Sequence, residues 1–252
     1  MRVALLQFGA IQKSRAANLQ SLMAAIDRAA SSDDELDLLV LPAIDGTHGT
    51  KAGQRGLFAS VSETIGWKAR EWGVYIAASL CVPENKAVRP RSFLFDPDGD
   101  VVARTDHVST GESTADQESS FWCSSPVGRI GVVDTRTAEA VIFSTEDRRE
   151  GGFVAFPLPS PTTAAERRLL DSTLRSLRRS ADAPPGIYWG VAGRADEGVG
   201  GGNAVTFLRD ASGTKNKDAS LAGESALRVE IDLPAVCGDA GIAIRSSDDQ
   251  TG

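Results

Sequence analysis

The chain has 252 residues, 41% hydrophobic and 24% charged, which supplies apolar surface for a sizeable core and excludes wholesale disorder. Its 27 Lys and Arg stand against 34 Asp and Glu, a net charge of −7, so a general nucleic-acid binder with a basic face is excluded. Cys81, Cys123 and Cys237 have neither disulfide nor metal-ligand spacing; no cofactor or metal is expected, and a reducing cytoplasm fits them best.

Val3 to Phe8 is a short apolar run suited to a buried strand, and it turns polar too soon for a signal peptide. Ser14 then caps a helix in which Leu19, Leu22, Met23, Ile26 and Ala30 recur at helical spacing. Leu36 to Pro42 is a second buried strand, ended by its proline. Residues 54–72 read as an amphipathic helix with Leu57, Val61, Ile65 and Trp72 on one side, and Val74 to Leu80 as a third strand. Ser92 to Ala103 is a hairpin turning at Pro97 and Asp98-Gly99.

The second half repeats this alternation without a sequence repeat. Strands are expected at 128–133, 153–157, 187–191, 204–208 and 227–231. Helices are expected at 138–149 and 163–181, the latter with Leu169, Leu170, Leu174 and Leu177 inward. Strands alternating with helices, with hairpins among them, predict an α/β layered fold with mixed sheets. No linker divides the chain, so residues 1–238 read as one domain, and the small polar tail 239–252 reads as disordered. No run approaches the roughly 18 apolar residues of a membrane span.

Four passages in this order resemble the nitrilase superfamily, the carbon–nitrogen hydrolases. Met1 to Phe8 with Asn18-Leu19 is similar to its opening strand and helix. Leu38 to Pro42 is similar to the strand delivering its catalytic glutamate. Phe95 to Arg104 is similar to the hairpin before its catalytic lysine, and Val127 to Val133 to the strand before its nucleophilic cysteine. The likeness continues through Gly151 to Pro157 and ends at Val229 to Leu233. It implies a four-layer α-β-β-α sandwich whose members pair through helices, so a homodimer or larger homo-oligomer is expected. It also implies attack by a cysteine thiolate on a nitrile or amide carbon, with a glutamate base and a lysine stabilising the charged intermediate.

The residues at those positions differ. After Pro42 stands Ala43, whose methyl group accepts no proton. After the hairpin stands His107, beside Asp106; a neutral imidazole carries no permanent positive charge. Counting forward from Gly131 and back from Gly151 both put Thr135 at the cysteine position. Thr137 replaces the aspartate expected two residues on, and Val141-Ile142 a proline–glutamate pair. No cysteine occurs in residues 124–236, and Cys81, Cys123 and Cys237 read as small buried hydrophobes. The expectation is a catalytically degenerate pseudoenzyme, acting as a scaffold, a regulatory partner or a binder of a small ligand, without membrane or nucleic acid.

A replaced chemistry is the alternative. The resemblance places Asp106, His107, Ser109, Glu112 and Thr135 near the family's active-site mouth. Thr135 as nucleophile, His107 as base and Asp106 or Glu112 as orienter satisfies triad logic. Against it, adjacent strand residues such as Asp106 and His107 point to opposite faces. Glu112 stands at the position of a second, substrate-orienting glutamate in some members; His48, in Gly46-Thr47-His48-Gly49, reads as a loop residue near the pocket. Arg167, Arg168, Arg175, Arg178 and Arg179 read as the solvated face of helix 163–181. Gly200-Gly201-Gly202 has no following Lys-Ser/Thr and is not a phosphate loop.

Overall fold

The structure is a computed structural model, and it describes residues 1–7, 15–31, 35–42, 44, 51–83, 88–105, 122–134, 151–158, 164–179, 187–193, 207–210, 217–218, 225–231 and 233. The first apolar run forms β1 (Arg2–Gln7), and β2 (Leu38–Val40) is buried at every residue. A strand covered on both faces carries no polar alternation, which is why this stretch reads as one continuous apolar run. β2 lies parallel to β1 on one side and to β3 (Tyr75–Pro83) on the other.

Two helices provide the crossovers. α1 (Arg15–Ser31) buries Leu22, Ala25, Ile26, Ala29 and Ala30, the spacing that lines one helical face. α2 (Lys51–Trp72) buries Val61, Ile65 and Ala69 and ends at Gly73, whose φ of 65° is left-handed. The Val74 amide then donates to Ala69 O at 3.1 Å, closing the helix in the manner a C-terminal glycine permits. Between the helices Lys68 is buried, donating to Asp27 at 2.5 Å and to Glu71 at 2.7 Å. Trp72 Nε1 donates to the same Asp27 oxygen at 2.9 Å.

β4 (Val88–Phe95) and β5 (Val101–Arg104) form the expected hairpin, with β4 starting earlier than the sequence suggests. Its turn is organised by Asp96, whose Oδ1 accepts from the amides of Asp98 and Asp100 at 3.0 and 2.9 Å. β12 (Ser225–Glu230) lies antiparallel against the free side of β1, giving the order β12-β1-β2-β3-β4-β5. The second sheet has the order β11-β10-β9-β8-β7-β6. Its strands are β6 (Trp122–Ser125), β7 (Gly128–Val132), β8 (Gly152–Pro157), β9 (Ile187–Ala192), β10 (Phe207–Asp210) and β11 (Lys217–Asp218). β7, β8 and β9 are mutually parallel.

Three apolar clusters fill the spaces between layers. Ala4, Leu39, Ile76 and Phe95 pack with Leu22, Ile26 and Ile65 of α1 and α2. Leu5, Val40, Ala77 and Leu94 on the other face of the first sheet meet Ile130, Val132, Phe153 and Ala155 of the second. Val154, Phe156, Trp189 and Val191 face Leu170 and Leu174 of α3 (Ala164–Arg179). The result is the four-layer α-β-β-α sandwich with two mixed sheets. Gly190 leaves no room for a side chain where the sheets pack: a Cβ there would lie 2.9 Å from Leu5 Cδ2 across the interface and 3.0 Å from Phe153 Cε1 on the neighbouring strand, with Phe153 Cζ nearer still. Among the described residues no helix is long and apolar enough to cross a membrane.

Several expectations need correction. Leu169 is 37% exposed rather than inward, because one helical step of about 100° turns it away from the buried Leu170, Thr173 and Leu174. β6 and β11 were not expected, and the strand placed at 204–208 is described only from Phe207 and runs to Asp210. Ser14, the helix at 138–149, Gly200 to Gly202 and the tail 239–252 lie outside the described residues.

Candidate functional site

Because β1, β2 and β3 are parallel, their C-terminal ends reach the same edge of the first sheet. On the face toward the second sheet, apolar residues give way to polar ones toward this edge. Gln7 follows Leu5, Ser79 follows Ala77, and Thr105 follows Ala103, each by the two residues that return a strand to the same face. Ser92 likewise lies two residues from Leu94 and pairs directly with Ser79. These residues form a polar row at the edge of the inter-sheet space. Gln7, Ser79 and Thr105 are 1% exposed and Ser92 is 0% exposed, so the row is interior and not a solvated rim.

Buried polar groups need partners, and most of this row has them. Ser92 N donates to Thr105 Oγ1 and Thr105 N to Ser92 O, both at 2.9 Å. The Ser92 hydroxyl crosses to the other sheet and donates to Val133 O at 2.8 Å. Arg91 Nη1 donates to Thr105 O at 2.9 Å. Ser79 Oγ is buried without a hydrogen-bond partner, and so is the side-chain oxygen Oε1 of Gln7.

Three chain segments leave the sandwich around this row. After β2, Leu41 N donates to Ala77 O at 2.8 Å and Ile44 N to Ser79 O at 3.0 Å. Between them Pro42 has no amide hydrogen to give, so the ladder breaks there. The pairing offset falls from 37 residues at Val40–Ala77 to 36 at Ile44–Leu80, so one extra residue is accommodated between Val40 and Ile44. The strand expected to run from Leu36 to Pro42 is therefore short, and a bulge-like step separates it from Ile44. Thr105 and Val133, tied through Ser92, lie at the other two exits.

Ala43, His48, Asp106, His107, Ser109, Glu112 and Thr135 lie outside the described residues. The described flanks are Pro42 and Ile44 around Ala43, Thr105 just before Asp106, and Asp134 just before Thr135. The fold brings the flanks to one edge; it describes no contact among the candidate residues themselves.

Of the cysteines, Cys123 is half-buried on β6, opposite Ile130 and near the Asp96 turn at the other end of the hairpin from Ser92 and Thr105. Burial, and then the Asp96 charge, push its thiol up from its ordinary value, the wrong direction for a thiolate nucleophile. Cys81, like Cys123, was expected as a buried hydrophobe and is half-buried instead. It lies two residues beyond Ser79 on the same regular strand, hence on the same face and one row nearer solvent. Cys237 lies outside the described residues. The sequence analysis does not name the polar row, although part of its signal is there: Gln7 and Thr105 close apolar inward positions at the ends of β1 and β5, whereas Ser79 and Ser92 lie inside their strands.

The sequence matches no protein-family model and no curated protein. Solved structures do resemble it. A variant of an amidase from Nesterenkonia AN1, described as of the nitrilase superfamily, is 20% identical, with a TM-score of 0.63 over 93% of this chain and 92% of that one. A variant of the same amidase carrying acrylamide added at its active-site cysteine is 20% identical, covering 93% and 94%, with a TM-score of 0.63. A further variant in complex with butyramide is 19% identical, covering 92% and 90%, with a TM-score of 0.63. The likeness shows the fold, that of the nitrilase-superfamily amidases.

Proposed function

We propose that this chain is a catalytically degenerate member of the nitrilase superfamily, one domain over residues 1–238, that has lost thiol-dependent C–N hydrolysis and acts by association or by binding a small ligand. The observation that carries this reading is Thr135, two residues beyond the anchored Val133. A threonine hydroxyl titrates far above a thiol and is no nucleophile without a base. Ala43, in place of the glutamate that the resemblance implies, supplies none, and His107 supplies no fixed positive charge. The half-buried Cys123 supports the same reading, since its thiol is pushed up and it sits away from the polar row. A homo-oligomer in the cytoplasm completes the proposal; the outward Leu169 on α3 supports a helix-mediated contact.

Ammonia release from short aliphatic amides by the purified chain tests it. No release above the uncatalysed rate is expected from the wild type or from Thr135→Ala and His107→Ala. A turnover present in the wild type and abolished by those two substitutions would sink the reading and establish the replaced triad instead.

A further inference from the structure

A sheet edge presents backbone donors and acceptors, and folded proteins blunt such edges by keeping them short, bulged or covered. Among the described strands the two sheets end in β12, β5, β11 and β6. β11 has two residues and β6 four, and the β4–β5 ladder shifts register at Leu94-Phe95. β12 differs: its six residues pair with β1 in unbroken register, without proline or bulge.

The hydrogen-bond phase of that ladder is fixed at its end, where Met1 and Ile231 exchange both backbone bonds at 2.8 Å. Bonded pairs alternate along an antiparallel ladder. Val229 and Leu227 therefore turn their amides and carbonyls to β1, while Ala226, Arg228 and Glu230 turn theirs outward. The side chains of these last three are exposed, so the helix layer does not cover this margin. Val229, on the opposite face, is buried between the sheets.

We propose that β12 is an interface for a second copy of this chain, whose own β12 adds antiparallel about a twofold axis at Val229 and joins the first sheets of both copies into one. Charge selects both the occupant and the register. An axis at Val229 sets Arg228 of each copy opposite Glu230 of the other, a complementary pair made twice, with Val229 against Val229 on the inner face. An axis at Arg228 would oppose two arginines, and one at Leu227 would set Arg228 against Ala226. Within its own chain Arg228 donates to Ala29 O at 3.2 Å, and Glu230 lies 3.9 Å from Arg2. A guanidinium and a carboxylate each serve several partners at once, so the cross-copy pairs add to these contacts. The inference rests on the proposed homo-oligomer and gives it a contact away from α3.

The test follows the full chain by amide hydrogen exchange and sedimentation velocity over a concentration series. The Arg228 and Glu230 amides are expected to gain protection as concentration rises, while Val229, bonded to β1, is protected throughout. Arg228→Glu and Glu230→Arg each set like charges opposite one another twice and weaken the concentration-dependent step by roughly tenfold. Mixing these two variants restores complementary pairs and returns a heterodimer of wild-type strength. Wild-type exchange decides the matter even where a variant fails to fold. Exchange at Arg228 and Glu230 that ignores concentration, single variants that associate like wild type, or a mixture that does not recover overturns the interface. The readouts separate this edge from the proposed function. Association lost in Leu169→Glu, with exchange at Arg228 indifferent to concentration, would keep the homo-oligomer and remove only the edge. Ammonia release would refute the loss of catalysis whatever β12 does.

Discussion

Gly190→Ala is a severe test of the sandwich because it adds a single methyl group between tightly packed side chains of both sheets. Carbon atoms in good contact sit about 3.5–4.0 Å apart. The new Cβ would stand 2.9 Å from Leu5 Cδ2 and 3.0 Å from Phe153 Cε1, and closer to the tip of the Phe153 ring. Leu5 and Phe153 are both 0% exposed, so neither can swing into solvent to make room. Where space exists, the substitution should help: a buried methyl contributes about 0.8 kcal/mol, and restricting the unfolded glycine about 0.4–1 kcal/mol. Overpacking a filled core costs about 1–3 kcal/mol, and the position between two fully buried neighbours puts Gly190→Ala at the upper end. The expected outcome is a net loss of about 2 kcal/mol in urea unfolding, seen as a lower midpoint with an unchanged slope. Phe153→Leu, which shortens the offending ring, should recover part of that loss in the double variant. A Gly190→Ala protein as stable as wild type, or a double variant showing no coupling, would refute the packing described here.

The polar row supplies a second prediction. Ser92→Ala leaves the Val133 carbonyl without its donor and should cost about 1–3 kcal/mol in the same unfolding assay, whereas equal stability would deny that bond a role. The Asp27–Lys68 pair predicts an acid limb. Burial alone would raise the Asp27 pKa, but hydrogen bonds from Lys68 and Trp72 and the Lys68 charge outweigh it and hold it below 3.8. A carboxylate depressed in the folded state stabilises above its unfolded value and loses that contribution as pH falls through the folded one. Thermal melts below about pH 4 should therefore fall less steeply with pH for Asp27→Asn than for wild type, and parallel slopes would count against the pair.

How much of this was legible in the sequence depended on how each element is held. β2, β3 and β8 lie between packed layers, so their interiors read as apolar runs; α1 shows its face through Leu22, Ile26 and Ala30. β6 does not: Trp-Cys-Ser-Ser is half-buried and gains its place from pairing with β7 and from Trp122 lying over Gly131. Two-residue β11 exists through its pairing with β10, which no local pattern encodes. Leu169 was misplaced because three leucines nearby made every leucine look inward. At the site, counting along the resemblance names Ala43, His107 and Thr135, which lie outside the described residues, but does not name the polar row. The Ser92–Thr105 bonds depend on the hairpin register, which shifts at Leu94-Phe95 and cannot be counted from the turn.

β1 is enclosed by β2, which follows it closely, and by β12, whose end meets it through a bond from Met1 N to Ile231 O across 230 residues. At synthesis rates of about 5–20 residues per second, β12 emerges roughly 10 to 45 s after β1. During that interval β1 offers a bare edge of backbone donors and acceptors beside the side chains of Val3 to Leu6, the kind of edge that recruits a strand from another molecule. β12 thus seals β1, and a chain terminated before Ser225 would be prone to pairing with its neighbours.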